Sequence, residues 1–191
     1  MRIKSFVLTI ALSICALLFA SPVYADVAIG DAAPAFVAST LDGKKFDLST
    51  LKGKVVLITF WATWCTACQY ELPSLEAVWR KYRAQGLEVL AISVDPPRGR
   101  KHVNEVMKFF SFPAGVMHEI AKNDLVTLKS VPLTYVIGKD GKVENILEQS
   151  SSPLTEEGLG NEVKALLEAK QEAKIDDKPD AKAETNKDEK K

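Results

Sequence analysis

The chain has 191 residues, 47% apolar and 26% charged, with 25 basic side chains against 25 acidic ones. Such proportions belong to a globular protein and exclude a fibrous or wholly disordered chain. Balanced charge offers no basic stripe, so no nucleic-acid partner is expected.

Residues 1–25 read as an export signal. Arg2 and Lys4 precede an apolar stretch from Phe6 to Ala20, shorter than the roughly 20 residues that a membrane span needs. Val23-Tyr24-Ala25 then has the character of a signal-peptidase site, and cleavage is expected after Ala25. An uncleaved anchor is the rival reading, and membrane association is expected only through it. Cys15 follows Ile14 rather than the small residue of a lipoprotein site, so it is an apolar filler that leaves with the signal. At the other end, residues 170–191 hold lysines and acids around Ile175, their single large apolar side chain. They bury too little to offset the entropy of ordering them, and a solvated, disordered charged tail is expected. Residues 26–169 remain as one domain.

Within that domain, Asp42-Gly43 lies between Phe36-Val37-Ala38 and Phe46-Asp47-Leu48, a pattern that predicts a small hairpin. The β-branched and aromatic run from Lys54 to Trp61 predicts a central strand. Leu72, Leu75, Val78, Trp79 and Tyr82 recur at three and four, so a helix is expected over 66–85, kinked at Pro73 and ending near Gly86. A second buried strand over 87–94 is closed by Asp95-Pro96-Pro97, and Val103, Val106, Met107 and Phe110 mark another helical stripe. Strand, helix, strand, helix in that order implies a right-handed parallel unit. Residues 112–130 carry no clear period. Beyond them, 133–137 and 143–147 flank Lys139-Asp140-Gly141-Lys142 as an antiparallel hairpin, and Val163, Leu166 and Leu167 mark a final helix. The expected fold class is α/β, a mixed central sheet with helices on both faces.

Cleavage leaves Cys65 and Cys68 as the only cysteines, placed directly after the first long strand and at the start of a helix. A spacing of three on one helical turn puts two Cα atoms about 5.5 Å apart, within disulfide reach. Unpaired N–H groups at a helix start favour an anion, so Cys65 is the expected thiolate and Cys68, one turn deeper, the expected resolving thiol. Zinc needs four ligands, and the chain adds only His102 and His118 to this one pair; no metal and no cofactor are expected. A purely structural disulfide over so short a loop restrains the unfolded chain little. Redox work is the leading reading.

Phe60-Trp61-Ala62-Thr63-Trp64-Cys65-Thr66-Ala67-Cys68 resembles the active-site segment of the thioredoxin superfamily. Gly30-Asp31-Ala32-Ala33-Pro34-Ala35-Phe36, Leu41-Asp42-Gly43, the segment from Leu51 to Leu57, Glu71-Leu72-Pro73 and Val131-Pro132-Leu133-Thr134 narrow the resemblance to the exported TlpA/ResA-type thiol-disulfide oxidoreductases, over about Gly30 to Leu167. It implies a thioredoxin-like fold with an N-terminal β-hairpin and an inserted strand-helix segment. Pro132 matches the proline held in cis beside the dithiol, with the backbone of Val131 available to an extended substrate segment. Glu71 matches the family's active-site acid, and Trp64 the aromatic residue beside the nucleophile. Two departures stand out: Thr59 occupies the place of the buried aspartate of thioredoxins proper, and Ala67 that of a common proline.

The resemblance implies dithiol-disulfide exchange with partner proteins, as a reductant, in cytochrome c maturation or rescue of oxidised periplasmic proteins. A membrane thiol donor protein would supply the electrons, and the bacterial periplasm or another exported compartment is the expected location. Two alternatives come from other chemistry. A copper(I) chaperone would use both thiolates and a distal histidine such as His118. A thiol peroxidase is suggested by the likeness of Gly30 to Phe36 to peroxiredoxins, but Ala62 stands three residues before Cys65 where a threonine is needed.

Overall fold

A computed structural model describes residues 27–148 and 154–169. The expected export signal, residues 1–25, and the expected charged tail, residues 170–191, lie outside the described residues.

The hairpin forms as the Asp42-Gly43 pattern predicts. Strands β1 (Phe36–Thr40) and β2 (Lys45–Asp47) pair antiparallel around a turn in which Gly43 has φ +80°. Such a φ suits glycine, which has no Cβ to clash. The Thr40 hydroxyl closes the turn by donating to Asp42 at 2.5 Å and accepting from the Lys44 N–H at 2.9 Å.

Strand β3 (Val55–Trp61) is buried at every position. An unbroken apolar run of this kind fits a strand covered on both faces rather than one with a wet side. Helix α1 (Thr66–Tyr82) passes through Pro73 on its exposed side, tightens into a 3-10 turn over Arg83–Gln85 and stops at Gly86, whose φ is +103°. Strand β4 (Leu87–Ser93) then pairs parallel with β3 over seven positions. Helix α2 (Arg100–Met107) buries Val103 and Met107, while Phe110 falls beyond its end and stacks on Phe112, ring centroids 5.5 Å apart.

Residues 112–130, without a period in the sequence, contain the longest strand. β5 (Ala114–Asn123) begins parallel to β4 through Ala114, Gly115 and Val116, all buried. It then runs antiparallel to β1 with two register shifts, and its outer half is largely exposed. Changing partners along its length removes the alternation by which a strand is recognised. Strands β6 (Leu133–Ile137) and β7 (Val143–Glu148) form the expected antiparallel hairpin, and α3 (Glu156–Glu168) closes the domain. The Thr155 hydroxyl caps α3 by accepting from Gly158 N–H, and Glu156 and Glu157 place negative charge at its positive end.

The result is a mixed seven-stranded sheet in the order β2-β1-β5-β4-β3-β6-β7, with α1 and α3 packed on one another. Buried Leu72, Leu75, Val78 and Tyr82 of α1 meet Leu159 and Val163 of α3 in the core. This is the α/β, thioredoxin-like class that the sequence predicts.

At Gly115 of β5 the hairpin strand β1 leaves no room for a side chain. A Cβ there would lie 2.8 Å from the Ser39 carbonyl oxygen and 3.1 Å from Ile92 Cδ1. Gly115→Ala is therefore expected to lower the unfolding free energy by about 1–3 kcal/mol, as overpacking of a closed site does, measurable by urea denaturation; an unchanged midpoint would show that β1 moves aside freely.

Candidate active site

The C-terminal end of β3 delivers the dithiol. Four residues after Ile58 the chain leaves the sheet at Ala62, and Cys65 becomes the N-cap of α1, with extended backbone at φ −90°, ψ 103°. Its sulfur accepts the Cys68 backbone N–H at 3.1 Å, in the place a serine or aspartate oxygen holds in an ordinary cap. Cys65 and Cys68 are joined in a disulfide, their Cα atoms 5.3 Å apart, close to the separation expected from the spacing. Cys65 is 7% exposed and Cys68 1%, so Cys65 is the less deeply buried residue of the two. A thiolate in this cap is stabilised by the N–H and by the helix dipole.

Pairing of β6 with β3 brings a second segment to the same place. The Val131–Pro132 peptide is cis, and the Val131 carbonyl oxygen lies 3.7 Å from Cys65 Sγ. Trp64, beside the nucleophilic position, is 66% exposed. Glu71, one turn beyond Cys68, is half-buried, and its Oε1 accepts the Leu154 N–H at 3.3 Å. Burial pushes its carboxyl above the ordinary value, and the hydrogen bond from Leu154 offsets this only in part. Between Cys68, Glu71, Pro132 and Thr134 is a hollow of about 10 Å³, room for one water molecule. The six residues singled out in the sequence thus gather at one end of the sheet.

A further set of contacts holds the loop before Cys65. Asp95, just past the end of β4 and 5% exposed, accepts the Thr63 N–H at 2.9 Å, the Thr63 hydroxyl at 2.6 Å and the Ser93 hydroxyl at 2.7 Å. The Thr63 carbonyl accepts from Gln69 Nε2 at 2.7 Å. Burial alone would raise the Asp95 carboxyl, but the bonds from Thr63 and Ser93 outweigh it and hold the group below its ordinary value. In the sequence Asp95 reads only as the end of a strand; the available signal was an acid closing a run that is apolar from Val89 to Ile92. His118 sits on β5 beside Glu119 and His102 on α2 beside Glu105. Among the described residues no group of three or more metal-ligating side chains is assembled, and no helix is long and apolar enough to cross a membrane.

The family model described as AhpC/TSA matches residues 29–146, from before β1 into β7. The chain belongs to the AhpC/TSA family. Within it, the chain is 31% identical over 142 residues to the thiol-disulfide oxidoreductase ResA of Geobacillus thermodenitrificans, covering 73% of this chain and 79% of that one. It is 35% identical over 130 residues to ResA of Bacillus cereus, covering 66% and 74%. Among solved structures, a thiol:disulfide interchange protein of the thioredoxin family from Chlorobium tepidum superposes with a TM-score of 0.62 at 27% identity, over 75% of this chain and 99% of that one. The chain is accordingly a thioredoxin-like thiol-disulfide oxidoreductase of the ResA type, and the helix-capping disulfide is the feature of its fold suited to that chemistry.

For this oxidoreductase the Asp95 contacts have a measurable consequence. A carboxyl whose folded-state value is depressed contributes stability above its unfolded value, near 3.9, and that contribution is lost as pH falls through the folded value. Asp95→Asn is expected to cost about 2 kcal/mol at neutral pH, the scale of hydrogen bonds to a charged group, with the difference from wild type shrinking below about pH 4. Thermal melts of both proteins from pH 7 to pH 2 measure it; a constant difference would mean that the charge of Asp95 contributes nothing.

Proposed function

We propose that the protein is exported and reduces disulfides in partner proteins, Cys65 acting as nucleophile, Cys68 as resolving thiol and Glu71 as general base. The observation that supports this most directly is the Cys65 sulfur seated in the α1 cap, accepting the Cys68 N–H at 3.1 Å with the Val131 carbonyl 3.7 Å away. In the reduced enzyme the Cys65 thiolate attacks one sulfur of the partner's disulfide. A mixed disulfide forms and the partner's other sulfur leaves as a thiolate, taking up a proton. Cys68, deprotonated by Glu71, then attacks Cys65 Sγ; the intramolecular disulfide forms and the partner departs with two thiols. The two electrons have come from the enzyme, and a membrane thiol donor protein restores them.

The backbone of Val131, beside Pro132, pairs with an extended segment of the substrate across the dithiol, and exposed Trp64 supplies an apolar contact. Processing after Ala25 would release residues 26–169, with the charged tail, into the periplasm, where maturation of cytochrome c or repair of oxidised thiols would use this direction of electron flow. The ResA and thiol:disulfide interchange proteins among the relatives support the exchange of disulfides on which that reading is built.

Three variants test it. With dithiothreitol as electron source, Cys65→Ala is expected to abolish reduction of a model protein disulfide, and full activity would end the dithiol reading. Cys68→Ser is expected to accumulate the mixed disulfide with whatever partner Cys65 attacks. Glu71→Gln is expected to slow resolution by about 10²-fold, the usual weight of a general base. Because burial raises the Glu71 carboxyl, the wild-type rate should climb with pH through a value above that of an ordinary glutamate, a limb missing from the Gln variant. Stopped-flow rates from mildly acidic to alkaline pH measure this, and superimposable profiles would remove Glu71 from the mechanism.

Order of modification gives an independent check. At mildly acidic pH, iodoacetamide should label Cys65 of the reduced protein before Cys68, since thiolate content and exposure favour the same sulfur; mass spectrometry of partly labelled protein reads the order, and faster labelling of Cys68 would reverse nucleophile and resolver.

A further inference from the structure

Thr59 of β3 and Thr134 of β6 are register partners, and their hydroxyl oxygens are 2.8 Å apart. Both are buried, at 5% and 2% exposure. Each hydroxyl brings one proton to donate, and the bond between them uses one of the two. Neither hydroxyl has another partner among the described residues. A buried donor left unused is costly, and both threonines border the hollow of about 10 Å³ that Cys68 and Glu71 also border. That hollow has the size of one water, and a buried water is stable when it has two to four polar partners.

We propose that the Thr59–Thr134 pair is a positioning device that fixes a single internal water between Cys68 and Glu71. The water accepts the spare threonine proton, accepts the Cys68 S–H and donates to the Glu71 carboxylate. During resolution the Cys68 proton passes to the water as one of the water's own passes to Glu71, so the net change is one proton moved from thiol to carboxylate. The hydroxyl donor stays in place and keeps the water oriented. Two hydroxyls at this site supply no base of their own, unlike the aspartate of thioredoxins proper at the position of Thr59. They leave the proton's destination to Glu71. The inference rests on Glu71 being the base.

The test is the double variant Thr59→Val/Thr134→Val. Removing both partners of a buried hydrogen bond with groups of the same shape is nearly neutral for stability, so this variant should fold where either single change risks an orphaned hydroxyl. Mixed-disulfide resolution is expected to be about tenfold slower at neutral pH, with its profile displaced about one unit to the alkaline side, the shift that corresponds to that factor. Thr59→Ser/Thr134→Ser, which restores both hydroxyls, is expected to recover the wild-type profile; a merely structural role for the pair would move melting temperature and leave the pH profile in place. Adding Glu71→Gln to the double valine variant should slow resolution little beyond Glu71→Gln alone, because both changes break one relay. Coincidence of the double valine profile with wild type, while Glu71→Gln still has its effect, overturns the water relay and spares the base. Fully additive effects also overturn it. No effect of Glu71→Gln overturns the reading of Glu71, and the relay with it.

Discussion

β3 is paired on both sides, parallel to β4 at all seven positions and antiparallel to β6 from Val56 to Phe60, and the site depends on that double pairing. Parallel pairing with β4 commits the chain to a crossover helix, so α1 must start where β3 ends and its unpaired N–H groups must open at the edge of the sheet. Antiparallel pairing with β6 sets the residue before that strand, Pro132, level with the end of β3, and so brings Val131 to the sulfur of Cys65. A strand buried at all seven positions cannot slip by one residue without turning apolar side chains into the wrong layer. The relation between dithiol and proline is therefore held by the core rather than by any bond between them.

Two acids near that end of the sheet, Asp95 buried and Glu71 half-buried, are driven in opposite directions by their surroundings. Asp95 has its oxygens occupied by three donors and is held in its charged form. Glu71 has one backbone donor, too little to offset its burial, and its carboxyl is raised. The first arrangement suits a fixed anchor for the loop carrying Trp64 and Cys65, since a group that stays charged at neutral pH keeps its bonds. The second suits a group that must take up and give back a proton. Each carboxyl reaches its state through the number of hydrogen bonds it receives against the water it has lost.

The amino-acid sequence by itself determined the elements whose cause is local. Runs from Lys54 to Trp61 and from Leu87 to Val94 are apolar enough to be strands wherever they lie, the stripe through Leu72 and Tyr82 is a helix by its period, and Asp42-Gly43 turns because of its own backbone preferences. Cys65 and Cys68 were legible for the same reason, since three residues of separation at a helix start bring two sulfurs together without outside help. What only the tertiary structure decided are contacts between distant parts of the chain. The Val131 carbonyl reaches Cys65 across 66 residues, Asp95 reaches Thr63 across 32, Leu154 reaches Glu71 across 83, and Thr134 meets Thr59 across 75. β5 belongs with them: its partners β1 and β4 come from other parts of the chain, and its residues adapt to both without a period of their own. Local spacing leaves a trace in sequence because neighbours are geometrically tied, whereas a contact made through the sheet depends on register and on which strands lie side by side.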